Sequence, residues 1–141
     1  MSETATFVDQ FAAGWRLGSI GPLLEHFEPL LAGDVRLEQP MAPNARGVEA
    51  FRRQFTALYR VMPDLTGEVE SWSVESDGVT IDLTLTGTLG RKPFSWTARD
   101  RVTLRAGRIA ARRSTFNPAL LLMAIARRPS AWPAALRSLR R

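Results

Sequence analysis

Residues 79–86 read Val79-Thr80-Ile81-Asp82-Leu83-Thr84-Leu85-Thr86. Residues 94–105 read Phe94-Ser95-Trp96-Thr97-Ala98-Arg99-Asp100-Arg101-Val102-Thr103-Leu104-Arg105. Both stretches alternate apolar and polar side chains, and a period of two places alternate residues on opposite faces of a strand. Working outward, the pattern holds from Leu65 to Phe116, broken by turn signals at Asp77-Gly78, Gly90 and Ala106-Gly107. It predicts four strands: Leu65–Glu75, one around 79–86, one around 94–105, and Arg108–Phe116. The uneven placing of Val69, Trp72 and Val74 in the first suggests a bulge.

Upstream the apolar period lengthens. Phe7, Val8, Phe11, Ala12 and Trp15 predict an amphipathic helix over residues 4–17. Leu23, Leu24, Phe27, Leu30 and Leu31 predict a second helix, kinked or restarted at Pro29. Val35 to Gln39 alternates and ends at Pro40, a short strand, and Gly47 to Met62 reads as a third helix with Val48, Phe51, Phe55, Leu58 and Tyr59 on one side. Beyond the strands, Pro118 opens a leucine-rich helix, Pro129 breaks it, and a short arginine-rich helix follows. The expected class is α+β: three N-terminal helices on one face of a curved, mainly antiparallel sheet. Residues 1–118 form the domain and residues 119–141 a basic helical C-terminal extension.

The chain of 141 residues, 45% hydrophobic and 23% charged, suits one domain with one core. Ten glycines and nine prolines stay far below the roughly 25–30% of a low-complexity chain. With no cysteine there is no disulfide, thiolate nucleophile or Cys-ligated metal, and a single histidine argues against a His-rich metal site. Neither a metal nor a redox cofactor is expected. No apolar run approaches the roughly 20 residues of a membrane span, and Met1-Ser2-Glu3-Thr4 is acidic where a signal peptide is positive, so a cytoplasmic location is expected.

The formal net charge is +5, yet Arg127, Arg128, Arg137, Arg140 and Arg141 supply it without an acid among them, leaving fourteen charges of each sign elsewhere. The high pI therefore describes a tail and is weak support for nucleic-acid binding, the more so because no aromatics interleave with Arg99, Arg101 and Arg105. Those arginines fall on an outer, polar sheet face, where Asp82 can pair with one of them. The tail itself suits a lid, a dimer contact or an anchor on anionic membrane; a lid or packing element is favoured because Pro118 directly follows the last strand and keeps the helix close to the domain.

One residue contradicts its surroundings. Asp100 occupies the apolar register of its strand with Trp96, Ala98, Val102 and Leu104, so its carboxylate should point inward. A carboxylate there must be paired, hydrated in a pocket or protonated. If Phe116 faces inward, so do Ser114, Arg112 and Ala110, and Arg112 can meet Asp100 inside. Gln39 shares the inward face of Val35 and Leu37 at a strand end. Trp15, Phe55, Tyr59, Trp96 and Phe116 suit either core or a pocket wall for a flat ligand, whereas His26, between Glu25 and Phe27-Glu28, reads as a solvated surface histidine.

The order of elements, with Met62-Pro63-Asp64-Leu65, Thr86-Gly87-Thr88-Leu89-Gly90 and Arg113-Ser114-Thr115-Phe116-Asn117-Pro118, resembles the SnoaL-like branch of the nuclear transport factor 2-like superfamily over about residues 4–118. The resemblance implies a conical fold whose curved sheet and helices enclose a cavity open at one end, usually dimeric, shared by polyketide cyclases, isomerases, epoxide hydrolases, dehydratases and pure binding proteins. Matched to the ketosteroid isomerases, Gln39 stands where they place a proton-shuttling aspartate and Phe11 where they place an oxyanion-binding tyrosine. Asp100 matches their second aspartate. The Arg–Asp pair and last-strand aspartate of the epoxide hydrolases fall on Leu83, Leu85 and Ser114, and Asn117 replaces an acid before the final proline.

Two functions follow as expectations. In the first, a cavity binds a small hydrophobic, partly oxygenated molecule in a homodimer, and Asp100 performs acid/base cyclisation or isomerisation. Gln39, Ser114, Arg112, Trp15, Phe11, Tyr59, Trp96 and Phe116 contact the ligand. In the second, the protein is a non-catalytic binding or assembly module and Asp100–Arg112 is a structural ion pair. Direct pairing favours the second; a carboxylate open to the cavity favours the first.

Overall fold

The computed structural model describes residues 2–139; Met1 and the last two tail arginines, Arg140 and Arg141, lie outside them. Ser2 starts the first helix, α1 (Glu3–Trp15), its Oγ accepting from Ala5 N at 3.1 Å. Helix α2 (Ile20–Phe27) stops where Glu28-Pro29-Leu30 tightens into a 3₁₀ turn. Leu31, whose spacing suits the helix, instead begins strand β1 (Leu31–Gln39), because Pro29 cannot donate the helical hydrogen bond. Strand β2 (Ala42–Arg46) escapes the sequence pattern, since Ala-Pro-Asn-Ala-Arg has neither alternation nor β-branched residues. It pairs antiparallel to β1 at the sheet edge, where Pro43 is tolerated.

Helix α3 (Val48–Val61) follows, and then the long antiparallel strands β3 (Thr66–Glu75), β4 (Gly78–Leu89), β5 (Lys92–Arg105) and β6 (Arg108–Thr115). The sheet order is β2-β1-β6-β5-β4-β3, with β1 and β6 parallel and the other neighbours antiparallel, an open mixed sheet. The expected irregularity in β3 is a register shift between Val69 and Ser71. The turn out of the sheet is set locally: Asn117 Oδ1 accepts from Ala119 N at 3.0 Å and Pro118 takes the first turn of α4 (Pro118–Ala126). A 3₁₀ turn at Pro129–Ala131 leads to α5 (Trp132–Leu139).

The core lies between α1–α3 and the inner sheet face. Phe7, Phe11, Trp15, Phe27, Phe51 and Phe55 form a continuous aromatic cluster, with Phe51 and Phe55 stacked at 4.3 Å between centroids and Phe11 edge-on to Phe27 at 5.8 Å. His26 is half-buried rather than free in solvent, and its Nε2 lies 2.6 Å from the Gln10 carbonyl, tying α2 to α1. Two of the stretches that carried the family resemblance meet in space: Asp64 Oδ1 accepts from Thr88 N and Oδ2 from Thr88 Oγ1, both at 2.8 Å. These bonds hold the Asp64 carboxyl below the usual carboxylate range.

On the outer face several arginines are paired to acids. Arg99 reaches Asp82 at 2.8 Å, Arg105 reaches Asp34 at 2.6 Å and Arg113 reaches Glu38 at 2.7 Å. Exposed pairs of this kind contribute little stability, but each cancels the charge of one arginine on the outer sheet face.

Candidate functional site

Between α3, the inner ends of β1, β5 and β6, and the tail helices lies a cavity of about 410 Å³. Each wall follows from local sequence. Gly67 lets Trp15 lie directly on β3, since a Cβ there would sit 3.0 Å from that of Trp15. Trp15, Phe55, Leu58, Val61 and Met62 then present the helical side of the cavity, and Leu85 and Trp96 the sheet side. The tail closes the third side with Leu121, Leu122, Ile125, Trp132 and Leu136, so the residues favoured as a lid do form cavity wall. Leu121, Ala124 and Ala131 are buried in the same core as the sheet. Gly90 makes this possible: it adopts φ +56°, and a Cβ there would meet Arg128 Cβ at 2.8 Å and Ser130 Oγ at 2.9 Å.

The polar groups converge from β1, α3 and β6. Gln39, Gln54, Arg112 and Ser114 line the cavity, as do the indoles of Trp15 and Trp96. Trp15 Nε1, Trp96 Nε1 and Gln54 Oε1 are buried with no hydrogen-bond partner among the described residues, so two donors and an acceptor are left for a molecule in the cavity to meet. Asp100 lies opposite Ile81 on β4 and Ser114 on β6, on the inner face, as its register predicts. Arg112 sits diagonally from it and donates Nε–H to Asp100 Oδ2 at 2.8 Å, while its guanidinium carbon lies 5.2 Å from the Phe55 ring centroid.

The order of these two side chains decides what the site can do. Arg112 lines the cavity; Asp100, fully buried at 0% exposure, does not. Its carboxylate stands behind the guanidinium, with Oδ1 unpartnered. Of the expected ligand contacts, Trp15, Gln39, Trp96, Arg112, Ser114 and Phe116 share the cavity. Phe11 is sealed into the aromatic cluster at 1% exposure, and Tyr59 donates its hydroxyl to the Leu65 carbonyl at 3.0 Å, with burial pushing its phenol pKa up. Neither is on the cavity wall.

Gln54, not among the expected contacts, carries a signal in the sequence: it falls on the apolar face of α3, three residues from Phe51 and four from Leu58, the same kind of contradiction that marks Asp100. Met41 and Trp132 carried no such signal, because loop and tail positions have no register. Among the described residues no cluster of His, Cys, Asp or Glu could hold a metal ion, and no helix is long and apolar enough to cross a membrane.

With this geometry in view, the SnoaL-like domain family matches residues 8–112, about three quarters of the chain, and the protein belongs to that family. Among solved structures it is similar to a candidate SnoaL-like polyketide cyclase from Jannaschia sp. CCS1, with a TM-score of 0.77 and 19% identity over 87% of this chain and 91% of that one. It is similar, too, to a nuclear transport factor 2-like protein of unknown function from Burkholderia pseudomallei K96243, with a TM-score of 0.77 and 14% identity over 89% and 98% of the two chains. TerC, co-crystallised with polyporic acid, gives a TM-score of 0.74 and 15% identity over 88% and 98%. No curated protein matches the chain in sequence. Identities this low establish the cone-like α+β fold, which hosts many functions.

Proposed function

We propose that the cavity binds a small, largely apolar molecule with an anionic or strongly polar oxygen. The oxygen rests on the Arg112 guanidinium, and the apolar body lies between Trp15, Trp96 and the α3–α5 wall. The observation that carries this reading is the composition of the wall: mostly apolar side chains with Gln39, Gln54 and Ser114 among them, and, among the described residues, Arg112 as its one charged group and no Asp, Glu, His or Tyr. Apolar area supplies affinity and a few convergent polar groups supply orientation. Such a wall offers a fixed positive group for an oxyanion and no side chain suited to shuttle protons near neutral pH. Asp100 therefore acts in this reading as the residue that positions Arg112, not as a proton-transfer group touching the ligand. Binding is the function, and cyclisation or isomerisation through Asp100 would require its carboxylate to displace Arg112 from the wall.

A matched pair of fluorescent probes tests the reading. 1-Anilinonaphthalene-8-sulfonate carries an anionic oxygen group that N-phenyl-1-naphthylamine lacks. The wild-type protein is expected to bind both and to prefer the sulfonate about ten-fold, the scale of one charge-assisted hydrogen bond. In Asp100→Val/Arg112→Met, which removes both buried charges, the neutral probe keeps its affinity and the preference disappears. A preference unchanged in the double variant, or no binding of either probe, overturns the proposal.

A further inference from the structure

Four residues of the cavity wall, Met41, Leu122, Trp132 and Leu136, are 44–58% exposed, so they form the rim of its mouth. Beside them Leu120 and Met123 of α4 are 54% and 50% exposed and do not line the cavity. Helix α4, Pro-Ala-Leu-Leu-Leu-Met-Ala-Ile-Ala, is apolar on all sides, although only its Leu121 and Ala124 face is buried. A helix apolar all round normally has both faces covered, and a contiguous apolar surface of this kind marks an interaction site.

Charge identifies the partner. No acid follows Asp100 in the sequence, whereas ten arginines do. Of those on the sheet, Arg101, Arg105, Arg112 and Arg113 each reach an acid, whereas Arg127 and Arg137 are exposed on the tail with no acid partner among the described residues. The β4–β5 turn, which packs on Arg128 and Ser130 through Gly90, adds exposed Arg91 and Lys92 to the same end of the molecule. The acid attached to that end of β4, Asp64, is engaged by Thr88. A second copy docking by the same face would bring like charges together, and an apolar surface ringed by cations is instead complementary to an anionic lipid surface. Trp132 suits that setting: its Nε1 donates to the Ile125 carbonyl at 2.9 Å, so the ring can enter an apolar phase with its polar atom satisfied.

We propose that α4, α5 and the rim dock on an anionic bilayer, bringing the mouth of the cavity against the membrane so that apolar molecules pass between bilayer and cavity. The docking itself does not depend on which ligand the cavity takes and is measured without one.

Co-sedimentation of the full chain with vesicles tests it. The wild-type protein is expected to pellet with phosphatidylcholine vesicles containing phosphatidylglycerol, to stay in solution with pure phosphatidylcholine, and to be released by high salt. Arg127→Gln/Arg137→Gln should weaken partitioning about twenty-five-fold, at about five-fold per basic residue near an anionic surface. Leu120→Ser/Met123→Ser, which leaves cavity wall and net charge intact, should weaken it at least ten-fold while thermal melting stays at the wild-type value. Failure to pellet with anionic vesicles, equal pelleting with both lipids, or variants that pellet like wild type each overturn the proposal. So does equal affinity for soluble polyglutamate, which would make the surface a site for acidic protein. A wild-type dimer in sedimentation velocity that Leu120→Ser/Met123→Ser converts to monomer would assign the face to a second copy instead.

Discussion

Removing Arg112 should damage the fold far more than removing it together with Asp100. The two side chains are 8% and 0% exposed and share one hydrogen bond of 2.8 Å, and Asp100 Oδ1 has no partner. Arg112→Met strands a fully buried carboxylate, and loss of one member of a buried pair costs about 3–5 kcal/mol. Asp100→Val should cost less, about 1–3 kcal/mol, because Arg112 borders the cavity, where water can reach it, and keeps the Phe55 ring 5.2 Å away. The double variant removes both desolvation penalties at once. A single bond with one orphaned oxygen repays those penalties only in part, so the double variant should lie within about 1 kcal/mol of wild type. Urea unfolding at pH 7, followed by far-ultraviolet circular dichroism, gives the three differences by linear extrapolation. The coupling expected from the cycle is several kcal/mol. A double variant that loses as much as the two single variants together, or an Arg112→Met protein as stable as wild type, would refute the claim that these charges hold each other in the interior.

Other substitutions probe the wall and its supports. Gly90→Ala places a Cβ 2.8 Å from that of Arg128 at a positive φ, so the tail should detach locally: faster amide exchange in α4 and α5 and weaker probe binding, with β3–β6 protection unchanged. Gln54→Leu removes a buried, unpartnered amide oxygen and should leave stability equal or slightly higher while changing probe affinity, read by thermal melting and fluorescence titration. Thr88→Val removes one of the two bonds to the exposed Asp64 carboxylate and should cost about 1 kcal/mol at pH 7. Because the folded state depresses the Asp64 pKa, that contribution is present above the ordinary aspartate range and fades as pH falls through the folded value, so wild type and Thr88→Val should converge in acid melts.

How much of this was readable before the structure depends on whether a residue had a register to violate. The strands around Ile81 and Trp96 announce themselves by alternation, and the same alternation marks Asp100 as inward-facing and pairs it with Arg112. Gln54 breaks a helical period in the same way. Alternation does not give depth, however: it places Asp100 and Arg112 on one face without showing that the guanidinium stands between the carboxylate and the cavity. Phe11 and Tyr59 show the converse limit, since apolar periodicity is satisfied equally by core and by cavity wall. Strand β2 was hidden because an edge strand can hold Pro43 and Asn44, its pairing supplied by β1 rather than by its own propensity. The tail helices were readable from Pro118 and Pro129, but their seat on the domain was not. Nothing local to Leu121 or Ile125 states that Gly90, some thirty residues earlier, leaves room for the chain to return.

The buried pair also explains why binding and stability should separate in this protein. An ion pair that two apolar side chains could replace at little cost contributes little net stability to the fold. What the pair supplies is a guanidinium whose Nε is committed to Asp100 while the side chain borders an otherwise apolar cavity. The carboxylate fixes the direction of the fork, and the Phe55 ring supports its plane. Arg112→Lys sharpens the point: a lysine keeps the positive charge opposite Asp100, yet its ammonium cannot bond the carboxylate through one nitrogen and offer a second planar donor to the cavity. Its urea midpoint should therefore fall less than that of Arg112→Met, while its preference for the sulfonated probe falls nearly as far. Parallel losses of stability and preference in Arg112→Lys would mean that charge alone, not the oriented fork, is what the cavity uses.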